Sequence, residues 1–186
     1  MTPRVIGLYS PAPQSGKSTL ARYLSALDYT CVPFARVLKR MSALLLQELG
    51  YSGDDARHLV YQDKEQKLPE IGVTPRHILQ TLGTEWGRQC IHPNLWLFCW
   101  EAQVKRLLAE GHNVVVDDCR FPNEAALIRQ YRGQMWLITR PGVERPTHHA
   151  SEGGLSDIHF DHHLENNGAV LDLYLTAESL LQPDAP

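Results

Sequence analysis

A chain of 186 residues fits one domain with a sizeable core, and no apolar run in it reaches bilayer-spanning length. A formal net charge of -3, with 21% charged residues, gives no general attraction to DNA or an acidic membrane, so stable nucleic-acid binding is not expected and a polyanionic substrate needs a local basic cluster. Cys31, Cys90, Cys99 and Cys119 lack Cys-x-x-Cys spacing and read as reduced, mostly buried thiols of a cytoplasmic protein, and Met1 to Arg4 show no signal-peptide pattern.

The first strand is expected at Val5–Tyr9, followed by Ser10-Pro11-Ala12-Pro13-Gln14-Ser15-Gly16-Lys17-Ser18-Thr19. A helical pattern then covers Lys17 to Leu27, with Leu20, Tyr23, Leu24 and Leu27 on one face. Strand, tight loop and helix is the setting of a phosphate-binding loop. Gly16 lets the backbone come close to an anion, Lys17 can reach the β- and γ-phosphates, and Ser18 can offer a hydroxyl to Mg²⁺. Ser15 to Thr19 also present the free amides of the helix start. Pro11 stands where such a loop ordinarily opens with glycine. A Gly-Lys-Ser triplet also occurs in ordinary turns; its place between a β run and a helix distinguishes this one.

Asp28 breaks the first helix, and Tyr29–Val32 is a second β-prone run. Pro33-Phe34-Ala35 follows, then a helix from Arg36 to Leu49 that stops at Gly50. Residues 51–74 lose clean periodicity and read as a loop or partly helical excursion. Thr74 caps a helix that opens on Pro75 and runs to about Gln89. Asn94 begins the next, which ends at Gly111. Asn113–Asp117 is apolar enough for the central strand of a sheet covered on both faces. Pro122 opens a helix to about Tyr131, and Gln134–Thr139 is a strand. Residues 140–157 form a polar, lid-like segment. His162–Glu165 is a short last strand, Asn167-Gly168 turns the chain, and Ala169–Leu181 fits strand or helix equally. Strands alternating with helices imply an open α/β sheet, whose ligands bind beyond the strands' carboxyl ends. Ser10, Phe34, Asp117, Asp118 and Arg140 all fall there.

One of Asp117 and Asp118 suits an acidic group facing Mg²⁺ near Ser18, directly or through water; the plain alternative is a strand-ending or capping aspartate. Arg36, Lys39, Arg76, Arg88 and Arg120 sit near helix ends or faces, where guanidinium groups match phosphate oxygens, though each can equally be a surface charge. Arg76 and Arg88 lie about three helical turns apart. Gln80, Thr84, Glu85 and Trp86 lie between them; Trp86 stacks on a base or packs in the core. Phe34, taken as exposed at a strand end, is a similar candidate. Arg140 and Arg145 flank the lid segment and can close over a triphosphate. His148-His149 and His162-His163, with His159 and Asp161 close to the second pair, make a zinc site conceivable, but each pair easily offers only one ligand, because adjacent strand residues point to opposite faces, and no Cys-rich spacing supports them; a polar lid or surface role is the plainer reading.

These residues carry a family resemblance. Ser15-Gly16-Lys17-Ser18-Thr19, Pro33-Phe34-Ala35 with Leu38-Lys39, the run from Arg76 through Leu79-Gln80, Gly83-Thr84-Glu85-Trp86 to Arg88, and Trp96 belong to it. So do Asp117-Asp118 with Arg120-Phe121-Pro122-Asn123-Glu124, Arg140, His149-Ala150-Ser151-Glu152 and Asn166-Asn167-Gly168. The chain resembles the deoxynucleoside monophosphate kinases of tailed bacteriophages. The resemblance implies a three-layer P-loop NTPase fold, with a mostly parallel central sheet, helices on both faces and a polar lid. It implies ATP and Mg²⁺ as cofactors, and γ-phosphate transfer to a deoxynucleoside 5′-monophosphate. Ser15, Gly16, Lys17, Ser18, Thr19 and Arg140 would hold ATP, with Ser18 and Asp117 on magnesium. Lys17, Arg140, Asp117 and Arg120 would serve catalysis. Phe34, Lys39, Arg76, Gln80, Trp86, Arg88, Asp118 and Arg120 would line the acceptor site, with residues 51–74 close to it.

Rival readings are a P-loop kinase of another small acceptor such as dephospho-coenzyme A, a kinase of a modified base in DNA, and a nucleotide-binding switch. The basic residues available for a second anionic ligand count against the switch. Apolar helix faces leave a homodimer open, and a host-cell cytoplasmic location follows if the chain is phage-encoded.

Overall fold

Five β-prone runs pair in parallel: β1 Val5–Tyr9, β2 Tyr29–Cys31, β3 Asn113–Val116, β4 Gln134–Thr139 and β5 His162–Glu165, in the order β2-β3-β1-β4-β5. They belong to a computed structural model that describes residues 5–143, 155 and 158–181. The register sets Ile6 beside Val115, Leu8 beside Trp136 and Leu137 beside His163. β3 was expected at the centre; β1 holds that place, with every one of its residues buried.

Alternation along β1 sorts the helices into layers. Ile6 and Leu8 pack with Leu20 and Leu24 of α1 (Lys17–Ala26) and with Leu173 and Ala177 of the last helix, Val170–Leu181. Gly7 points the other way: a Cβ there would lie 2.6 Å from Ile128 Cδ1 of the helix Pro122–Gln130 and 2.5 Å from Met135 Sδ. The sheet is therefore covered on both faces, as its continuous apolar runs require. Val115, Trp136, Ile138 and Leu164 extend the same buried cluster across the sheet.

The chain packs as two compact units, Met1–Pro33 with Gln103–Pro186, and Phe34–Ala102. The second has its own core, in which Ala43 and Leu46 of α2 (Arg36–Glu48) meet Ala56, Leu59 and Val60 of α3 (Gly53–Tyr61) and Ile78 of α4 (Pro75–Gln80). Ser52 caps α3 by accepting the Asp55 amide, and Leu68 is buried in this core, so the stretch 51–74 is partly helical and anchored. Thr74 caps α4 by accepting the His77 amide at 3.2 Å, with Pro75 in the first turn.

One long helix from Pro75 was expected. Instead the chain changes at Thr81 into a π-helix, Thr81–Ile91. The next helix, α5 (Leu95–Ala109), supplies the reason. The indole of Trp96 donates to the Gly83 carbonyl at 2.8 Å, and a Cβ on Gly87 would stand 2.5 Å from Trp96 Cζ2. A side chain driven against a helix backbone favours the wider π turn. The helices after β3 and β5 are α6 (Pro122–Gln130) and α7 (Val170–Leu181). In α7 the buried Leu173 and Ala177 stand one turn apart, and Tyr174 stacks on Tyr23 with centroids 3.9 Å apart.

Candidate functional site

β1 leads through α1 to β2 on one side of the sheet, while β3 leads through α6 to β4 on the other. The carboxyl ends of β1 and β3 are thus adjacent at the point where the connections diverge, where open α/β sheets bind ligands. After β1 comes the loop Ser10–Gly16; after β3 come Asp117, Asp118 and Arg120.

The loop is built from local bonds. Ser10 Oγ accepts the Ala12 amide at 3.2 Å and donates to the Ala12 carbonyl at 3.0 Å, turning the chain in spite of Pro11 and Pro13. Gln14 and Gly16 take positive φ, 55° and 108°. Gly16 needs its freedom twice, since a Cβ there would also lie 2.7 Å from Asn166 Nδ2. Two anchors hold the loop from outside. Arg140 Nη1 donates to the Gln14 carbonyl at 3.3 Å, and Asn166 Nδ2 donates to the Ser15 carbonyl at 2.9 Å.

α1 begins at Lys17 with no side-chain cap and no acidic residue in its first turn. Its leading amides and its positive dipole end can therefore take an anion. A cleft of ≈ 250 Å³ opens on this helix start, lined by Gln14 to Thr19, Arg140, Asn166, Gly168, Val170 and Leu173. Lys17 Nζ lies 3.5 Å from the Ala12 carbonyl. Burial draws the Lys17 ammonium down to a pKa of about 8; the charge of Arg120 adds to this and that of Asp117 opposes it. Lys17, Asp117 and Arg120 are thus within electrostatic reach of one another. Ser15 is buried, and its Oγ has no hydrogen-bond partner among the described residues. Ser18 is exposed, as are Arg120 and Arg140, while Thr19, Asp117 and Asp118 are half-buried. The carboxylate of Glu124 accepts the amides of Arg120 at 2.7 Å and Phe121 at 3.1 Å, which caps α6 and shapes the turn that carries Arg120.

Phe34, Lys39, Arg76, Gln80, Trp86 and Arg88 belong to the second unit. Phe34 is not exposed as expected: it is buried against Trp100, with ring centroids 4.8 Å apart. The cysteines depart in the other direction from the burial expected of them, with Cys31 and Cys90 exposed, Cys99 half-buried and Cys119 buried. Lys39 Nζ lies 4.9 Å from the centre of the Tyr61 ring. Arg76 is exposed and paired with Glu65. Gln80 is half-buried at the end of α4. Trp86 is 41% exposed with its ring 6.4 Å from that of Trp96, so one part packs and another faces solvent. Arg88 Nη1 donates to the Pro93 carbonyl at 3.3 Å. Arg76 lies in α4 and Arg88 in the π-helix that follows, so the two are not separated by three regular α-helical turns as expected.

Arg145, His148, His149 and most of the segment 140–157 lie outside the described residues. His163 Nε2 bonds Thr139 Oγ1 at 2.8 Å, and His162 packs edge-on to Trp136. Among the described residues no group of three or more His, Cys, Asp or Glu could hold a metal ion by itself. None of the described helices is long and apolar enough to cross a membrane. Sequence reasoning assigned no role to Asn166, Gly168, Val170 or Leu173 in this cleft; the Asn-Asn-Gly turn after β5 was the available signal.

The model of the deoxynucleotide monophosphate kinase family matches residues 66–177. A deoxynucleoside-5′-monophosphate kinase of Escherichia phage T5 is 30% identical over 139 residues, 68% of this chain, which spans only 55% of that relative. A putative deoxynucleotide monophosphate kinase of Acanthamoeba polyphaga mimivirus is 32% identical over 175 residues, covering 86% of this chain and 87% of the relative. Among solved structures, a dephospho-CoA kinase from Campylobacter jejuni superposes with a TM-score of 0.53 at 15% identity, covering 98% of this chain and 97% of that one, a likeness of fold alone. The chain belongs to the deoxynucleotide monophosphate kinase family.

Proposed function

We propose that the chain transfers the γ-phosphoryl group of ATP to a deoxynucleoside 5′-monophosphate, giving the diphosphate and ADP. The observation that carries this is the uncapped start of α1 facing a cleft beside Lys17, in a chain of a family named for that reaction. The bond between Pγ and the β-bridging oxygen breaks, and a bond to an oxygen of the acceptor phosphate forms. That oxygen is already anionic near neutral pH, so no strong base is required. The protein's task is to align two anions and neutralise charge.

In this scheme Ser15 to Thr19 hold the ATP phosphates through backbone amides, and Lys17 and Arg140 follow the charge on the transferred group. Ser18, in the first turn of α1, and Asp117, directly after β3, are hard oxygen donors that suit Mg²⁺, which would neutralise phosphate charge when bound. Asp118 and the side chains of Arg76, Arg88 and Arg120 are assigned to the acceptor, with Lys39, Gln80 and Trp86 as further contacts. Phe34 would shape the region only from behind, through Trp100.

A coupled assay for ADP release against a panel of deoxynucleoside and ribonucleoside monophosphates, including modified pyrimidines, tests this. Release of ADP should depend on the acceptor. Slow hydrolysis indifferent to every monophosphate would refute it.

A further inference from the structure

Asn166 sits at the end of β5, and its own amide donates to the Thr139 carbonyl at 2.7 Å, one residue beyond the β4–β5 ladder. Its side chain then donates to Ser15 at 2.9 Å. The next residue after Thr139 is Arg140, which donates to the Gln14 carbonyl. The ends of β4 and β5 thus hold two consecutive carbonyls of the phosphate loop, β4 through Arg140 and β5 through Asn166. In a trans peptide plane the carbonyl of one residue and the N–H of the next point in opposite directions. Fixing the Ser15 carbonyl therefore fixes the direction of the Gly16 N–H. Gly16 has no side chain to keep Asn166 away, and a Cβ would come within 2.7 Å of Nδ2.

We infer that Asn166 is a positioning residue for nucleotide binding: it orients the Gly16 amide for a phosphate by holding the Ser15 carbonyl from behind. This role rests on the proposed nucleotide binding at the loop. Without the clamp, the loop must spend part of the binding energy on ordering itself.

The test uses the full chain with Asn166→Leu, which keeps the approximate shape and removes the donor without adding charge, and Asn166→Ala. Affinities for ATP with Mg²⁺ and for inorganic tripolyphosphate are measured well below the melting temperature. Steady-state KM is measured for ATP and for the monophosphate. Both affinities should fall roughly 10-fold, the size of one lost hydrogen bond with its partner left facing a poorer environment. KM for the monophosphate should stay at its wild-type value. A folded variant that binds ATP as the wild type does overturns the role. So does a loss for ATP but not for tripolyphosphate, since Asn166 would then act on the nucleoside. Should both variants fail to fold, the wild type still decides. A slowly exchanging Asn166 Nδ2 proton in its NMR spectrum supports the clamp, and a freely exchanging, averaged one overturns it. If the wild type binds neither ATP nor tripolyphosphate, nucleotide binding fails and the role of Asn166 with it. That result is distinct from tight wild-type binding that survives both substitutions.

Discussion

Lys17 folds back over the phosphate loop until its Nζ stands 3.5 Å from the carbonyl oxygen of Ala12. That distance is the long limit of a hydrogen bond, so the ammonium is loosely held and can swing to a ligand. Burial first, then Arg120, depress its pKa to about 8, against the pull of Asp117. Below that pH the ammonium is intact, and the proposed phosphate binding should be at full strength. Above it, a proton must be taken up with the ligand, so ATP affinity should fall about tenfold per pH unit. For folding, the lysine is protonated less readily than its ordinary 10.5, so its contribution to stability rises as pH climbs from about 8 toward 10.5. Lys17→Ala should nearly abolish transfer in a folded protein, and Lys17→Arg should remove the alkaline break. An ADP-release assay checks the first, and calorimetric titration with ATP across pH 7 to 10 checks the second (on the order of one proton taken up at the upper end in the wild type).

Asp117 and Arg120 push the Lys17 pKa in opposite directions. Asp117→Asn should therefore move the alkaline break in ATP affinity downward, and Arg120→Ala should move it upward. At least one of Asp117→Asn and Asp118→Asn should also weaken the Mg²⁺ dependence and lower kcat sharply. Wild-type metal titrations in both variants would place the metal elsewhere.

Arg76 is paired with the exposed Glu65. If Arg76 grips the acceptor phosphate, Glu65 competes with the substrate for it. Arg76→Ala should lower kcat/KM for the monophosphate by roughly 10- to 200-fold, the equivalent of ~1.5–3 kcal/mol for a charge-assisted hydrogen bond. Glu65→Gln should improve acceptor KM by at most about fivefold, because exposed ion pairs contribute only ~1 kcal/mol or less. Equilibrium titration of both variants with a monophosphate and with an unreactive ATP analogue decides the pocket. Affinity lost for the analogue alone would mean that Arg76 has been assigned to the wrong ligand.

Gly87 gives up its side-chain space to Trp96, whose indole a Cβ would meet at 2.5 Å. Gly87→Ala should cost about 1–3 kcal/mol, as overpacking does, and should shift tryptophan emission as the indole leaves the Gly83 carbonyl. Urea unfolding followed by fluorescence measures both. An unchanged midpoint would mean that the π-helix forms without the Trp96 contact.

Asp161 ties α6 to β4: it accepts the Arg129 guanidinium at 2.6 Å and the Met135 amide at 2.6 Å. Burial raises its pKa, but these two donors outweigh burial and hold it below the ordinary 3.8. Its stabilising charge is complete above pH 3.8 and is lost as pH falls through the depressed value. Asp161→Ala should cost about 1.5–3 kcal/mol at pH 7, the range for hydrogen bonds to a charged group. The difference from wild type should shrink as the solution is acidified. Urea midpoints at neutral and acid pH test this.

Much of the fold is legible in local pattern. β1, β4 and β5 stand where their runs of residues place them, and Thr74 with Pro75, Gly50 and Gly111 end or begin helices as their backbone chemistry dictates. The loop Ser10–Gly16 and the helix start at Lys17 are legible too, because a short motif between strand and helix needs only neighbouring residues. What tertiary structure decided are the features whose cause lies far along the chain. Trp96 of the next helix bonds the Gly83 carbonyl inside the π-helix, a contact across 13 positions that no local pattern announces. The burial of Phe34 depends on Trp100, since a lone aromatic after a strand carries no sign of what will cover it. Ala169–Leu181 became a helix through Leu173 and Ala177 joining the core beside α1, which a nearly continuous apolar pattern does not specify. Asn166 acquires its place in the site only when β5 pairs with β4 and carries its amide to a carbonyl 151 positions earlier. A hydrogen bond of that separation leaves no periodicity in the sequence, because the sheet, and not the neighbouring residues, brings its two ends together.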